Sequence, residues 1–100
     1  MKYRVSILSE AEQDIDNAYI WYELKKIGLG YSFYTVIEKA IHYISINPFS
    51  CEEIYKGVRR CIVIKLLYGV YYKVNFDFKE IQILGLMHFK RSPTPLKKRI

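Results

Sequence analysis

The side chains with chemistry to offer are a sparse set of cations and one histidine. Arg59, Arg60, Lys65, Lys73, His88, Lys90 and Arg91 all fall in the second half of the chain. Guanidinium and ammonium groups bind phosphates and carboxylates, and an imidazole titrating near neutrality can pass a proton. No Asp or Glu stands beside His88 in sequence, so it reads as a binding or structural histidine. His42 falls mid-helix with no partner pattern and reads as a helix-surface residue. The cysteines, Cys51 and Cys61, form no CxxC motif and no cluster with histidines, which gives no metal site and no cofactor. Both read as packing residues with reduced thiols, as in a cytoplasmic protein.

The charge is uneven. The chain carries +6 over 100 residues, but residues 1–53 hold eight acidic against five basic side chains, and residues 54–100 hold two against eleven. Such a contrast suits a polyanion or an acidic partner at one end of the molecule. With 51% hydrophobic and 16% aromatic residues the chain is no disordered segment. The apolar tract Val5–Leu8 is too short for a signal peptide. No run approaches the roughly 18 apolar residues of a membrane span.

The elements that must position these groups follow from periodicity. Tyr3–Ile7 alternates as a half-buried strand. Ser9 and Glu12 carry a capping-box signature for a helix running to about Lys26, with Ala11, Ile15, Ala18, Tyr19 and Tyr22 on one face. After Gly28-Leu29-Gly30, a second helix with Phe33, Ile37, Ala40, Ile41 and Ile44 on one face ends near Ile46, before Asn47-Pro48. Residues 48–53 read as a polar connection. Period-two alternation then predicts a hairpin through Arg59–Leu66 and Val70–Asn75, and a last strand through Ile81–His88. Residues 90–100, with five basic residues and two prolines, read as an irregular basic tail. The order β-α-α-β-β-β defines one α+β domain over residues 1–100, a helical hairpin packed on one face of a small, mainly antiparallel sheet. The first strand pairs with a non-sequential one.

Strand parity makes a functional statement. If Ile62, Ile64 and Leu66, Val70, Tyr72 and Val74, and Ile81, Ile83 and Met87 cover the helices, the other face shows Arg59, Lys65, Lys73 and His88. Val63, Tyr71, Leu84 and Leu86 lie between these cations. Such a face suits a nucleic acid strand or an amphipathic peptide. Arg59 then faces outward, and Arg60 pairs with an acid of the helical hairpin.

Several fragments resemble a known family. Ala11-Glu-Gln-Asp-Ile-Asp-Asn-Ala18 with Trp21-Tyr22-Glu23, Gly28-Leu-Gly30 with Phe33, Asn47-Pro48, Gly57-Val-Arg-Arg60, Tyr68-Gly-Val-Tyr-Tyr72, and Ile81-Gln-Ile83 with His88-Phe-Lys-Arg91-Ser-Pro93 are similar to the RelE/ParE superfamily of bacterial toxins. The resemblance implies the toxin of a type II toxin–antitoxin module, neutralised by a cognate antitoxin with an acidic or amphipathic C-terminal segment. Operator DNA is met only through the antitoxin. In the RelE-like branch the protein is a metal-independent mRNA endonuclease acting on the ribosome, with Arg59, His88 and Arg91 in the catalytic positions and Lys65 and Lys73 as supporting cations. In the ParE-like branch it performs no such chemistry and poisons DNA gyrase. The long hairpin, the Gly57-Val-Arg-Arg60 and Tyr71-Tyr72 motifs, and the lack of a tyrosine after residue 72 favour ParE, a plasmid-stabilisation type. A non-toxic nucleic-acid-binding relative is the remaining alternative. The surface assigned to antitoxin or target comprises Arg59, Lys65, Tyr71, Lys73, Leu84, Leu86, His88, Lys90 and Arg91.

Overall fold

The computed structural model describes residues 2–63, 65–88 and 99. Strand β1 (Arg4–Ile7) leads into helices α1 (Ser9–Lys25) and α2 (Leu29–Ile46), followed by β2 (Glu52–Tyr55), β3 (Val58–Val63), β4 (Tyr68–Asn75) and β5 (Glu80–His88). The sheet order is β1-β5-β4-β3-β2, with β1 parallel to β5 and the other pairs antiparallel. The first strand therefore does pair with the last. None of the described helices is long and apolar enough to cross a membrane.

Both helices follow the apolar spacing, except that Tyr19, expected on the apolar face of α1, is 37% exposed. Ala11, Ile15 and Ala18 of α1 and Phe33, Ile37 and Ile44 of α2 are buried against Val70, Tyr72, Ile81, Ile83 and Leu86 of the sheet. The capping box does not form. Leu8 takes the cap position, Ser9 donates to the Glu10 carboxylate at 3.0 Å, and Glu10 and Glu12 favour the helix dipole without a side-chain cap. At the hairpin tip Gly28 sits at φ 95°, and the Glu23 carboxylate accepts from the N–H groups of Gly28 (3.1 Å) and Gly30 (3.0 Å). One acidic side chain of α1 thus satisfies two donors at the start of α2.

Strand β2 was not expected. Glu52-Glu53 carries no alternation, yet both carboxylates face arginines across the register: Glu52 lies opposite Arg60 and Glu53 opposite Arg59. The Lys56-Gly57 turn, with Gly57 at φ 85°, closes this hairpin.

A bulge in β5 overturns part of the expected facing. Tyr71 pairs with Gly85 but Tyr72 pairs with Ile83, which leaves Leu84 as an extra residue. Ile81 and Ile83 face the helices as expected; beyond the bulge parity reverses, so Leu86 joins the helix-side core. Met87 instead joins Leu84, Tyr71 and Val58 in a second buried cluster on the opposite face. Strand β3 is also turned over relative to expectation. Arg59 lies opposite Tyr72 and Arg60 opposite Tyr71, so Arg59, Cys61 and Val63 face the helix side while Ile62 faces away, 44% exposed. At Arg59 the connection from Pro48 to Cys51 lies against β3, and its Phe49 and Cys51 carbonyls accept from the arginine. Leu66 packs on the helix-side core as expected.

Candidate functional site

The face away from the helices carries three strand cations among the described residues: Arg4, which pairs with Glu80 at 2.6 Å near the β1 edge, and two that lie among apolar side chains. Arg60 and Lys73 stand on it with Ile62, Tyr71, Leu84, Met87 and Val58. The Arg60 guanidinium pairs with Glu52 at 3.3 Å, an acid of β2 and not of the helical hairpin. Its aliphatic stem lies over Gly69, where a Cβ would stand 3.0 Å from Arg60 Cγ and 3.1 Å from Tyr71 Cε1. Gly69 therefore provides the flat spot on which the arginine stem lies. Arg60 Nε and the Tyr71 hydroxyl are both buried without a hydrogen-bond partner among the described residues.

Arg59 does something else. Its guanidinium donates to the carbonyls of Cys51 (2.7 Å) and Phe49 (3.3 Å), lies 5.1 Å from the Phe49 ring centre, and stands 3.9 Å from Glu53. Beneath it the buried Tyr72 hydroxyl donates to the Pro48 carbonyl at 2.9 Å. The two side chains together tie the connection between α2 and β2 to the sheet. Arg59 is thus a loop anchor on the helix side, a correction to its expected outward position.

His88 lies beyond the bulge, on the helix side. It lines a groove of about 270 Å³ between α1 and the end of β5, together with Asp14, Asn17, Trp21, Tyr68 and Leu86. Its ring packs edge-on to Tyr68, centres 5.7 Å apart. Of the residues assigned to one mixed face, Tyr71, Lys73 and Leu84 are brought together. Tyr71 and Leu84 are fully buried there, so neither offers surface in this state. Arg59, Leu86 and His88 lie on the other side, and Lys65 is exposed in the turn between β3 and β4. Lys90 and Arg91 lie outside the described residues.

The sequence reading missed Arg60 on the open face, Asp14, Trp21 and Tyr68 in the groove, and Arg99, which reaches Asp14 at 2.7 Å. No local signal marks the bulge or the turned register. Only the identical type of its neighbour Arg59 hinted that either arginine could face out.

The arrangement divides the chemistry. Cleaving RNA without a metal needs an acid, a base and cations around one phosphate, but the sheet separates Arg60 and Lys73 from His88. Cys61 is held in its neutral thiol form: burial, then contact with Cys51 and that neighbour's charge, push its thiol up to about 12. Burial likewise raises Tyr72, and it raises Tyr22 with help from Tyr68. No cluster of three metal-ligating side chains exists among the described residues.

No family model and no curated protein sequence matches this chain. Solved structures do. A chain of the RelBE2 toxin–antitoxin complex of Mycobacterium tuberculosis superposes with a TM-score of 0.66 at 16% identity, covering 88% of this chain and 99% of that one. A chain of the chromosomal ParDE toxin–antitoxin system of P. aeruginosa gives 0.64 at 17% identity, covering 87% and 96%. The chain has the RelE/ParE fold. The helical hairpin and mainly antiparallel sheet expected from the residue pattern are those of this fold, with β2 added.

Proposed function

We propose that this protein is the toxin of a type II toxin–antitoxin module of the ParE-like kind, which inhibits growth by binding DNA gyrase and trapping cleaved DNA. The observation that carries the reading is the division of the site among the described residues: in a catalytic set His88 and one of the two strand arginines would share one side of the sheet. Arg59 is occupied by loop carbonyls and Arg60 lies on the opposite face from His88. A protein that acts by binding needs no such convergence. The match over 87–88% of this chain to chains from two toxin–antitoxin complexes supports the same module.

Its partner is a cognate antitoxin whose acidic or amphipathic C-terminal segment folds on the toxin. The excess of eleven basic over two acidic residues after residue 53 suits such a segment. Operator DNA is reached through the antitoxin, and the site is in the cytoplasm.

Two reactions test the activity. Purified protein added to a gyrase supercoiling reaction is expected to inhibit it and accumulate cleaved DNA, while mRNA on translating ribosomes stays intact by toeprinting. Unimpaired supercoiling at micromolar protein, with new ribosome-dependent cuts in the mRNA, would establish the RelE-like endonuclease instead. Normal growth after inducing this chain alone would overturn both.

A further inference from the structure

Cys51 and Cys61 are the only two cysteines of the chain, both free and both half-buried. Cys51 directly precedes β2, and continuing the antiparallel register that pairs Glu53 with Arg59 and Glu52 with Arg60 puts it opposite Cys61. Both side chains pack on the helix-side core, and Cys51 lies near enough to help raise the Cys61 thiol. Facing residues of antiparallel strands have Cα atoms roughly 4.5–5.5 Å apart. A disulfide spans roughly 4.4–6.8 Å, a range that includes this separation. We infer that Cys51 and Cys61 are a reversible oxidation site, closing to an intramolecular disulfide that staples β2 to β3.

The co-reactant is hydrogen peroxide. The Cys51 sulfur attacks one peroxide oxygen and gives up its proton; the O–O bond breaks, a sulfenic acid forms, and the leaving oxygen takes that proton and departs as water. The Cys61 sulfur then attacks the oxidised sulfur, the S–O bond breaks, and the hydroxyl leaves as a second water with the Cys61 proton. The two sulfurs lose two electrons in all and the two peroxide oxygens gain them. Cys51 takes the first step because Cys61 stays protonated, held up by burial and by its neighbour. Partial exposure of both residues lets the oxidant in.

The staple falls where the sheet is weakest. Strand β2 is a four-residue edge strand with an irregularity between Glu53 and Tyr55. Ile54 and Tyr55 pack on the cluster that contains Val58, but the Glu52 and Glu53 ties to β3 are ion pairs with partly exposed acids, which contribute little. The bridge would also fix the Pro48–Cys51 connection to which Arg59 and Tyr72 donate.

The test uses the full-length protein, reduced, freed of reductant and treated with hydrogen peroxide. The expected product is a monomer that has lost the mass of two hydrogen atoms, has no thiol left to alkylate after unfolding, and melts roughly 10 °C higher. Dithiothreitol restores both thiols and the lower Tm. Cys61→Ser gains oxygen at the Cys51 sulfur and Cys51→Ser keeps its remaining thiol, neither with the rise in Tm. Two alkylatable thiols after treatment would overturn the inference, as would thiol loss only in covalent dimers or only with added oxygen. None of these readings depends on toxicity, so they stand or fall apart from the proposed function.

Discussion

Asp14 of α1 and Arg99, one residue from the C-terminus, form a two-pronged ion pair closed over the bulge of β5. Arg99 Nη1 donates to Asp14 Oδ2 at 2.7 Å and to the Leu84 carbonyl at 3.0 Å, while Nη2 reaches Oδ1 at 3.4 Å. Asp14 Oδ2 also accepts the Leu86 N–H at 3.1 Å. Beyond Ile83, β5 has lost β1 as a neighbour, and these two side chains supply the hydrogen bonds that a strand would have made.

Replacing Asp14 with Ala leaves Arg99 without its anion and the Leu86 N–H without an acceptor. Both side chains are about four-fifths buried, so a loss of about 2 kcal/mol is expected. Arg99→Ala should cost less, because Asp14 keeps the Leu86 N–H. Urea denaturation of the wild type, both single variants and the double variant measures the pair. Strictly additive effects would show that the two residues act independently.

The glycines of the hairpin tip should respond in different ways. Gly28 has open space around it but sits at φ 95°, so Gly28→Ala costs about 1 kcal/mol of backbone strain. Gly30 lies at the start of α2 where a Cβ would stand 2.9 Å from Glu23 Oε1 and 3.0 Å from the Tyr19 carbonyl oxygen. A helix interior normally gains from Gly→Ala, yet here the backbone of α1 is in the way. Gly30→Ala is expected to be the more damaging of the two, by thermal melting. A stabilised Gly30→Ala would show that the helices can move apart freely.

These features differ in how much of them the sequence carries. The helices are written in apolar positions three and four apart, such as Ala11, Ile15 and Ala18, and each was buried as the spacing implies. The RelE/ParE order of elements was legible for the same reason. Facing in β5 was not, because alternation can be read only while the strand stays regular and Leu84 inserts one residue. Nothing around Glu52 and Glu53 reads as a strand, since their partners are two arginines in the next strand. The pairing of Asp14 with Arg99 spans 85 residues of chain and has no local trace.

Arg59 and Arg60 are adjacent, and the structure gives them separate duties. Arg59→Ala removes the donor to two loop carbonyls and the contact on Phe49; it should lower stability by about 1–2 kcal/mol. Its effect on antitoxin binding should follow from that alone. Arg60→Ala combined with Lys73→Ala removes the two cations beside Tyr71 on the open face and leaves Arg4, which is paired with Glu80. In the proposed complex this weakens an acidic antitoxin segment by roughly 10-fold at low salt and flattens the dependence of affinity on salt. Titration calorimetry at two ionic strengths separates the cases. A steep salt dependence that survives in the double variant would place the antitoxin's contacts elsewhere.

Alkaline pH should loosen the fold from the corner where Cys61 and Tyr72 meet. Burial holds both groups neutral above their ordinary values of 9.0 and 10.0, Cys61 up to about 12, and it also raises Tyr22. Below pH 9 all three are protonated whether the chain is folded or not, and their contribution to stability is complete and flat. As pH rises past 9 and then 10, the unfolded chain releases these protons while the folded one keeps them. The folded state then binds more protons, so stability falls with rising pH. For Cys61 the decline continues until the folded thiol itself ionises, near 12. Urea midpoints measured from pH 7 to 11 under reducing conditions should be level at first and drop above pH 9. Cys61→Ser with Tyr72→Phe removes two of the three groups and should flatten the drop. Tyr72→Phe also gives up the hydroxyl's bond to Pro48, which lowers the whole curve by about 1 kcal/mol without changing its slope. A double variant with the wild-type slope above pH 9 would show that other groups govern the alkaline transition.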